Sequence, residues 1–173
     1  MLEEKGLVIV YTGDGKGKTT AALGLALRQV GHGGRVLFLQ FLKGSSEVGE
    51  HKAAQNIPGL EIIPCGREGF IIGEPSSIDY RLAKEGLDRA RKALADSDYT
   101  MVVLDELHVA ISLGLIPVAE ALDLLNRRGS THLVTTGRGA PSEIVMEADI
   151  VSEVKEVKHD YHTGRKAAPG IEY

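Results

Sequence analysis

The stretch Leu7-Val8-Ile9-Val10-Tyr11-Thr12-Gly13-Asp14-Gly15-Lys16-Gly17-Lys18-Thr19-Thr20-Ala21-Ala22-Leu23 sets the fold class of this chain. A short apolar run rich in β-branched residues reads as a buried strand, and an alanine- and leucine-rich segment from Thr19 to Gln29 reads as a helix. Gly31, Gly33 and Gly34 stop that helix. Between strand and helix stand three glycines at alternate positions, then a lysine and two threonines. This order is that of a phosphate-binding loop, whose strand-before, helix-after context gives the motif its meaning. Gly13, Gly15 and Gly17 let the backbone turn tightly and aim several N–H groups at one anion, and the helix amino terminus adds the positive end of its dipole. Lys18 would reach a phosphate oxygen, Thr19 would offer its hydroxyl to a magnesium ion bridging phosphates, and Thr20 could support the same oxygens. Asp14 is either a turn residue or a contact to ribose or base. Thr12 stands where the usual pattern has its first glycine. An empty glycine-rich turn is a poor alternative, because Lys16 and Lys18 at a helix amino terminus oppose the dipole unless an anion is present.

Outward from this loop, similar apolar runs recur at Val36–Phe41, Leu60–Ile63, Met101–Leu104, His132–Val134 and Ile150–Val154. Helical patterns lie between them. From Ser76 to Leu94, Ile78, Leu82, Leu87, Ala90 and Leu94 mark an apolar face, with Asp79, Arg81, Lys84 and Arg91 on the wet face. Pro117 suits the first turn of a further helix, and another begins near Ser142. Alternating strands and helices imply an α/β, doubly wound, mostly parallel sheet with helices on both faces. Ligands then belong at the carboxyl ends of the strands. The segments Lys43–Pro58 and Gly66–Pro75 read as loops that could face substrate.

The 173 residues fit a single nucleotide-binding domain, residues 1–173, with a possible carboxy-terminal arm over 155–173. A formal net charge of -4 argues against broad capture of nucleic acid, and no uncharged apolar run approaches bilayer length. Cys65 is the single cysteine, so no intrachain disulfide forms, and a reducing, cytoplasmic location is expected.

Two further strand ends carry polar groups. Met101–Leu104 runs into Asp105 and Glu106, resembling a Walker B element in which one carboxylate orients magnesium and the other meets metal, ribose or attacking group. An acidic turn is the alternative, disfavoured by the company of the phosphate loop. His108 reads as a polar neighbour rather than a metal ligand, because no zinc-type cluster surrounds it. After Val134 comes Thr135-Thr136-Gly137-Arg138-Gly139. Arg138 could clamp phosphate oxygens with its fork, or stand as a surface arginine between glycines. Lys155, Lys158, His159, His162, Arg165 and Lys166 read as a solvated tail. Cys65 reads as buried filler.

With these motifs in place the chain resembles the ATP:corrinoid adenosyltransferases of the CobA/CobO/BtuR type over nearly its whole length. The resemblance rests on YTGDGKGKTTAA from Tyr11, VGHG from Val30, LQFLKG from Leu39, VVLDEL from Val102, TGRG from Thr136, EADIVSEVKEVKH from Glu147 and GIEY from Gly170. It implies transfer of the 5′-deoxyadenosyl group of ATP to a reduced Co(I) corrinoid with release of triphosphate. It also implies magnesium or manganese, an electron-donor protein and a homodimer. Gly13 through Thr20 would form the ATP loop, with Thr19, Asp105 and Glu106 toward the metal. Lys18, Glu106 and Arg138 would carry the catalytic roles, and Phe70 would pack on the corrinoid. Relatives from enteric bacteria have a Phe-x-Trp pair in the corrinoid loop, where Phe70 here is followed by Ile71 and Ile72, and a longer amino-terminal arm. The motifs alone serve a nucleotide kinase, an NTP hydrolase or a non-enzymatic ATP-dependent binding module equally well.

Overall fold

The computed structural model describes residues 5–45, 47–69, 71–96, 98–158 and 168–171. Six strands, β1 (Val8–Thr12), β2 (Val36–Phe41), β3 (Leu60–Cys65), β4 (Met101–Asp105), β5 (His132–Thr136) and β6 (Ile150–Glu153), form one sheet in the order β3-β2-β4-β5-β1-β6. Every pairing is parallel. The helices are α1 (Lys18–Gly31), α2 (Gly49–Ala54), α3 (Ser77–Asp96), α4 (Leu107–Ser112), α5 (Val118–Arg127) and α6 (Ser142–Glu147). This is the doubly wound α/β architecture expected from the alternation of patterns.

Strand periodicity splits the core into two layers. Ile9, Val36, Phe38, Met101, Val103 and Val134 point to one face and pack on Ala22 and Ala26 of α1. Val8, Val10, Leu37, Leu39, Val102, Leu104 and Leu133 point to the other, beneath α3, α4, α5 and α6. The central strands are buried on both faces, which is why they read as continuous apolar runs. The expectation of buried strands fails at one edge: β6 pairs only with β1, and Ile150 and Val151 are 46% and 43% exposed.

Local corrections are instructive. The segment expected to be a loop from Lys43 to Pro58 contains α2, and α4 follows β4 directly. On α3 the face is rotated from the expected one. Asp79 is buried, whereas Ile78 is 49% exposed, and the seam runs through Asp79, Ala83, Gly86, Leu87, Ala90, Ala93 and Leu94. Asp79 is inside because it caps the helix: its Oδ2 accepts from the Ser76 N–H at 2.8 Å and the Ser76 hydroxyl at 2.7 Å, while Oδ1 takes Arg67 Nε at 2.8 Å. Pro117 lies one residue before α5, at its amino-terminal cap. Among the described residues no helix is long and apolar enough to cross a membrane.

Cys65 ends β3 at 5% exposure, and burial pushes its thiol up to about 11. At pH 8 roughly one thiol in a thousand would be ionised, so a disulfide reagent should modify the native protein about two orders of magnitude more slowly than the unfolded chain. Equal rates in the two states would show that the strand end opens freely.

Candidate active site

At the carboxyl ends of the strands, the turn after β1 opens a cleft of about 550 Å³ lined by Lys18, Thr19, Lys43, Glu50, Glu106 and Arg138, among others. Such a size suits a small-molecule ligand. The loop is built on close backbone approach. Gly13 has φ 97° and Gly17 φ 120°, and the Gly15 N–H donates to the Val154 carbonyl at 2.8 Å. A Cβ on Gly13 or Gly15 would collide with the backbone at Val154 and Lys155, so the chain after β6 walls the outer side of the loop. Thr12, in place of the usual glycine, is the last residue of β1. Its carbonyl accepts from the Val154 N–H at 2.8 Å and its hydroxyl from the Ala140 N–H at 3.1 Å. The sheet therefore extends one residue further, and the turn begins at Gly13.

Helix α1 has no side-chain cap and no acidic residue in its first turn. Its amino terminus thus presents uncapped N–H groups to the cleft beside Lys18. Lys18 is 7% exposed, and its Nζ donates to the carbonyls of Gly13 and Gly15, each at 2.7 Å. Burial, with the nearby Arg138 charge adding to it, lowers its pKa against the raising influence of Glu106, Asp14 and Asp105. Lys16 is exposed and reaches the Ile171 carbonyl at 2.8 Å, bringing the carboxy-terminal Gly170 and Ile171 onto the cleft wall. Asp14 and Thr20 are exposed on the same wall.

The acidic pair divides into unlike halves. Asp105 is fully buried: its Oδ1 accepts from Thr19 Oγ1 at 2.9 Å and Thr136 Oγ1 at 2.6 Å, and its Oδ2 from Gln40 Nε2 at 3.3 Å, with Lys43 Nζ 3.6 Å away. Both oxygens are occupied by protein donors. Glu106 instead turns toward the cleft in the left-handed conformation at φ 59°, its N–H bonded to Thr136 Oγ1 at 2.9 Å. Burial, then the neighbouring Asp105 charge, raises its carboxyl above the usual carboxylate range. Thr136 is the common partner because β5 lies between β1 and β4.

Arg138 is exposed just beyond β5 and lines the cleft with Lys18 and Glu106. His108 is buried, with Nδ1 3.1 Å from the Gly137 carbonyl and Nε2 2.9 Å from Thr135 Oγ1. The carbonyl can only accept, so Nδ1 carries the proton, and burial lowers the pKa to keep the ring neutral. It ties α4 to β5 as a polar neighbour. Phe70, His159, His162, Arg165 and Lys166 lie outside the described residues. Ile72 is 89% exposed.

Lys43 and Glu50, which no sequence motif marks, also line the cleft, and the buried Gln40 and His51 stand behind them. His51 Nε2 meets Gln40 Oε1 at 2.6 Å, so the Gln40 amide group is free to donate to Glu50 Oε1 at 3.2 Å and to Asp105. The polar end of an otherwise apolar run at Gln40 was the available signal.

A phosphate loop at the end of β1, a carboxylate pair at the end of β4 and a parallel sheet ordered as above define a P-loop nucleotide-binding protein. Solved structures agree on the fold. The flagellar accessory protein FlaH from Methanocaldococcus jannaschii superposes with a TM-score of 0.59 at 14% identity, covering 86% of this chain and 70% of that one. A KaiC-like protein from Pyrococcus horikoshii superposes at 0.55 and 13% identity, covering 88% and 73%. Sequence relationships are narrower. The sequence model of the ATP:corrinoid adenosyltransferase family BtuR/CobO/CobP matches residues 4–173. Corrinoid adenosyltransferase from Escherichia coli K12 is 39% identical over 172 residues, 99% of this chain and 87% of that protein. The one from Pseudomonas aeruginosa is 36% identical, covering 99% and 85%. The chain belongs to the ATP:corrinoid adenosyltransferase family. It is accordingly an enzyme whose substrates are ATP and a corrinoid.

Proposed function

We propose that the protein transfers the 5′-deoxyadenosyl group of ATP to the cobalt of a Co(I) corrinoid and releases triphosphate as one unit. The cobalt electron pair forms the Co–C bond, the C5′–O bond breaks, and its pair stays on the triphosphate oxygen. No side chain need act as nucleophile. The protein's work is to hold C5′ against the metal and to stabilise the leaving charge. The observation supporting this reading is the convergence of Lys18, Arg138 and the uncapped α1 terminus on one cleft, within a chain of this family.

Gly13 through Thr20 hold the triphosphate, Lys18 and Arg138 meet its oxygens, and Asp14 lies toward the nucleoside. A hard divalent cation, magnesium or manganese, fits the oxygen donors present: the Thr19 hydroxyl and the Glu106 carboxylate, completed by phosphate oxygens and water. Bound there, it would neutralise triphosphate charge. Asp105, saturated by protein donors, acts behind Thr19 by fixing its hydroxyl. Among the described residues no three His, Cys, Asp or Glu side chains group to hold a metal by themselves, so affinity should depend on the nucleotide. Phe70 is assigned to the corrinoid. The chain works as one nucleotide-binding domain; the arm expected over 155–173 lies largely outside the described residues. It acts as a cytoplasmic homodimer fed by an electron-donor protein, because Co(I) requires a reductant and ATP a cytosolic supply.

Anaerobic incubation with ATP, magnesium and chemically reduced cobalamin tests the function. Light-sensitive adenosylcobalamin and triphosphate are expected; ADP or inorganic phosphate with an unaltered corrinoid spectrum would contradict it. Glu106→Gln should raise the magnesium concentration needed for half-maximal rate about tenfold, as one charged metal ligand is lost. Because the metal needs the ionised carboxylate and burial raises the Glu106 pKa, the wild-type magnesium requirement should increase as pH falls, beginning at a higher pH than for an ordinary carboxylate. In Glu106→Gln that slope should flatten. An unchanged titration would move the metal away from Glu106.

A further inference from the structure

We infer that Lys43 is a further catalytic residue, a cation contacting the triphosphate from the β2 end of the cleft that the phosphate loop also lines; the inference rests on the adenosyltransferase reading above. Among the described residues only Leu42 and Glu106 are non-glycine residues with positive φ, 66° and 59°. They stand just past the ends of the neighbouring strands β2 and β4, and each sets a charged side chain at the cleft. Left-handed backbone at a leucine carries strain that persists only where the surroundings impose it. Here they do. The Lys43 carbonyl accepts from the Gly66 N–H at 2.9 Å, and the β2 and β3 loops interlock so closely that a Cβ on Gly44 or Gly66 would strike the facing backbone. The elbow carrying Lys43 is therefore rigid.

The ammonium is also held in place. Lys43 Nζ lies 3.3 Å from Glu50 Oε1 and 3.6 Å from Asp105 Oδ2, while its side chain remains 34% exposed to the cleft. Those carboxylates are set by the buried Gln40 amide, itself fixed by His51. Burial opposes ionisation of Glu50, but its backbone N–H, Gln40 and Lys43 outweigh this and keep its pKa below the usual range. The cation thus stands preorganised on the cleft that Lys18 and Arg138 also line. When C5′–O breaks, the departing triphosphate gains a unit of negative charge relative to its share in ATP, and a fixed ammonium binds the product-like state more strongly than the ground state.

The test is Lys43→Met, with Lys43→Arg, Glu50→Gln and the Lys43→Met/Glu50→Gln double variant. Calorimetry measures magnesium tripolyphosphate affinity, and anaerobic assays measure kcat. Lys43→Met should weaken tripolyphosphate binding about tenfold and lower kcat by about tenfold or more, and Lys43→Arg should recover part of both. If Lys43 served only to neutralise Glu50, removing that carboxylate in the double variant would restore binding and rate; the inference requires that it does not. Tripolyphosphate binding within twofold of wild type in Lys43→Met, recovery in the double variant, or no binding to wild type would overturn it. Lys43-dependent tripolyphosphate binding by a wild-type protein that forms no adenosylated corrinoid would instead refute the functional reading and leave the contact standing.

Discussion

Replacement of Lys18 by alanine is expected to lower kcat/KM for ATP by at least about 100-fold, the loss typical of removing one preorganised charge-stabilising donor. Lys18 is 7% exposed, and its ammonium is already oriented by the carbonyls of Gly13 and Gly15. Little reorganisation is then needed to bind phosphate, so the interaction is strong where charge develops. Lys18→Arg should not rescue, because a planar fork cannot occupy the position of a compact ammonium between two carbonyls 2.7 Å away. Stability should change little, with Tm shifting by no more than a few degrees, since Lys18 itself lines the cleft and water can enter the place its ammonium leaves. Turnover near the wild-type rate would take the loop out of the mechanism.

Asp105→Ala should produce the largest combined loss, of both folding stability and turnover. Four donors converge on this buried carboxylate: Thr19 and Thr136 hydroxyls, the Gln40 amide and the Lys43 ammonium. Removing it strands several of them in a site too enclosed for full rehydration, a change that costs about 3–5 kcal/mol. For a chain of this size that corresponds to a Tm lower by roughly 10 °C. Asp105→Asn should fall between the two, since its oxygen can still serve Thr19 and Thr136 but its amide would face the Gln40 amide and Lys43. Denaturant midpoints for the three proteins, with kcat for each, decide the matter. Equal stability of Asp105→Ala and wild type would mean that the network adds nothing to the fold.

Much of the architecture is legible from local sequence, for reasons visible in particular elements. The run Val36–Phe41 predicts a strand with the observed bounds because both faces of a central parallel strand are buried. The phosphate loop was legible because its groups are contiguous. Short helices were not. Gly49–Ala54 begins with glycine and mixes charges, and it is tied down by Glu50 and His51 meeting Gln40 on a strand ten and eleven residues earlier. The α3 seam was rotated because Asp79 is buried by what it caps, a role that periodicity does not register.

The succession of strands, the helices other than the short α2 and α4, the phosphate loop with Lys18 and Thr19, the Asp105–Glu106 pair and the family all follow from the sequence alone. Those features depend on neighbours in the chain, on spacing and on residue type. Which strand ends meet is a matter of tertiary structure. Placing β5 between β1 and β4 puts Thr136 against Asp105, and the β2–β4 register sets Gln40 opposite Asp105. It also made Asp105 a buried anchor and Glu106 the cleft-facing carboxylate. Those roles follow from donors supplied by helix α1, strands β2 and β5 and the segment after β2, distant in sequence, and adjacent carboxylates in a chain carry no mark of which one will receive them.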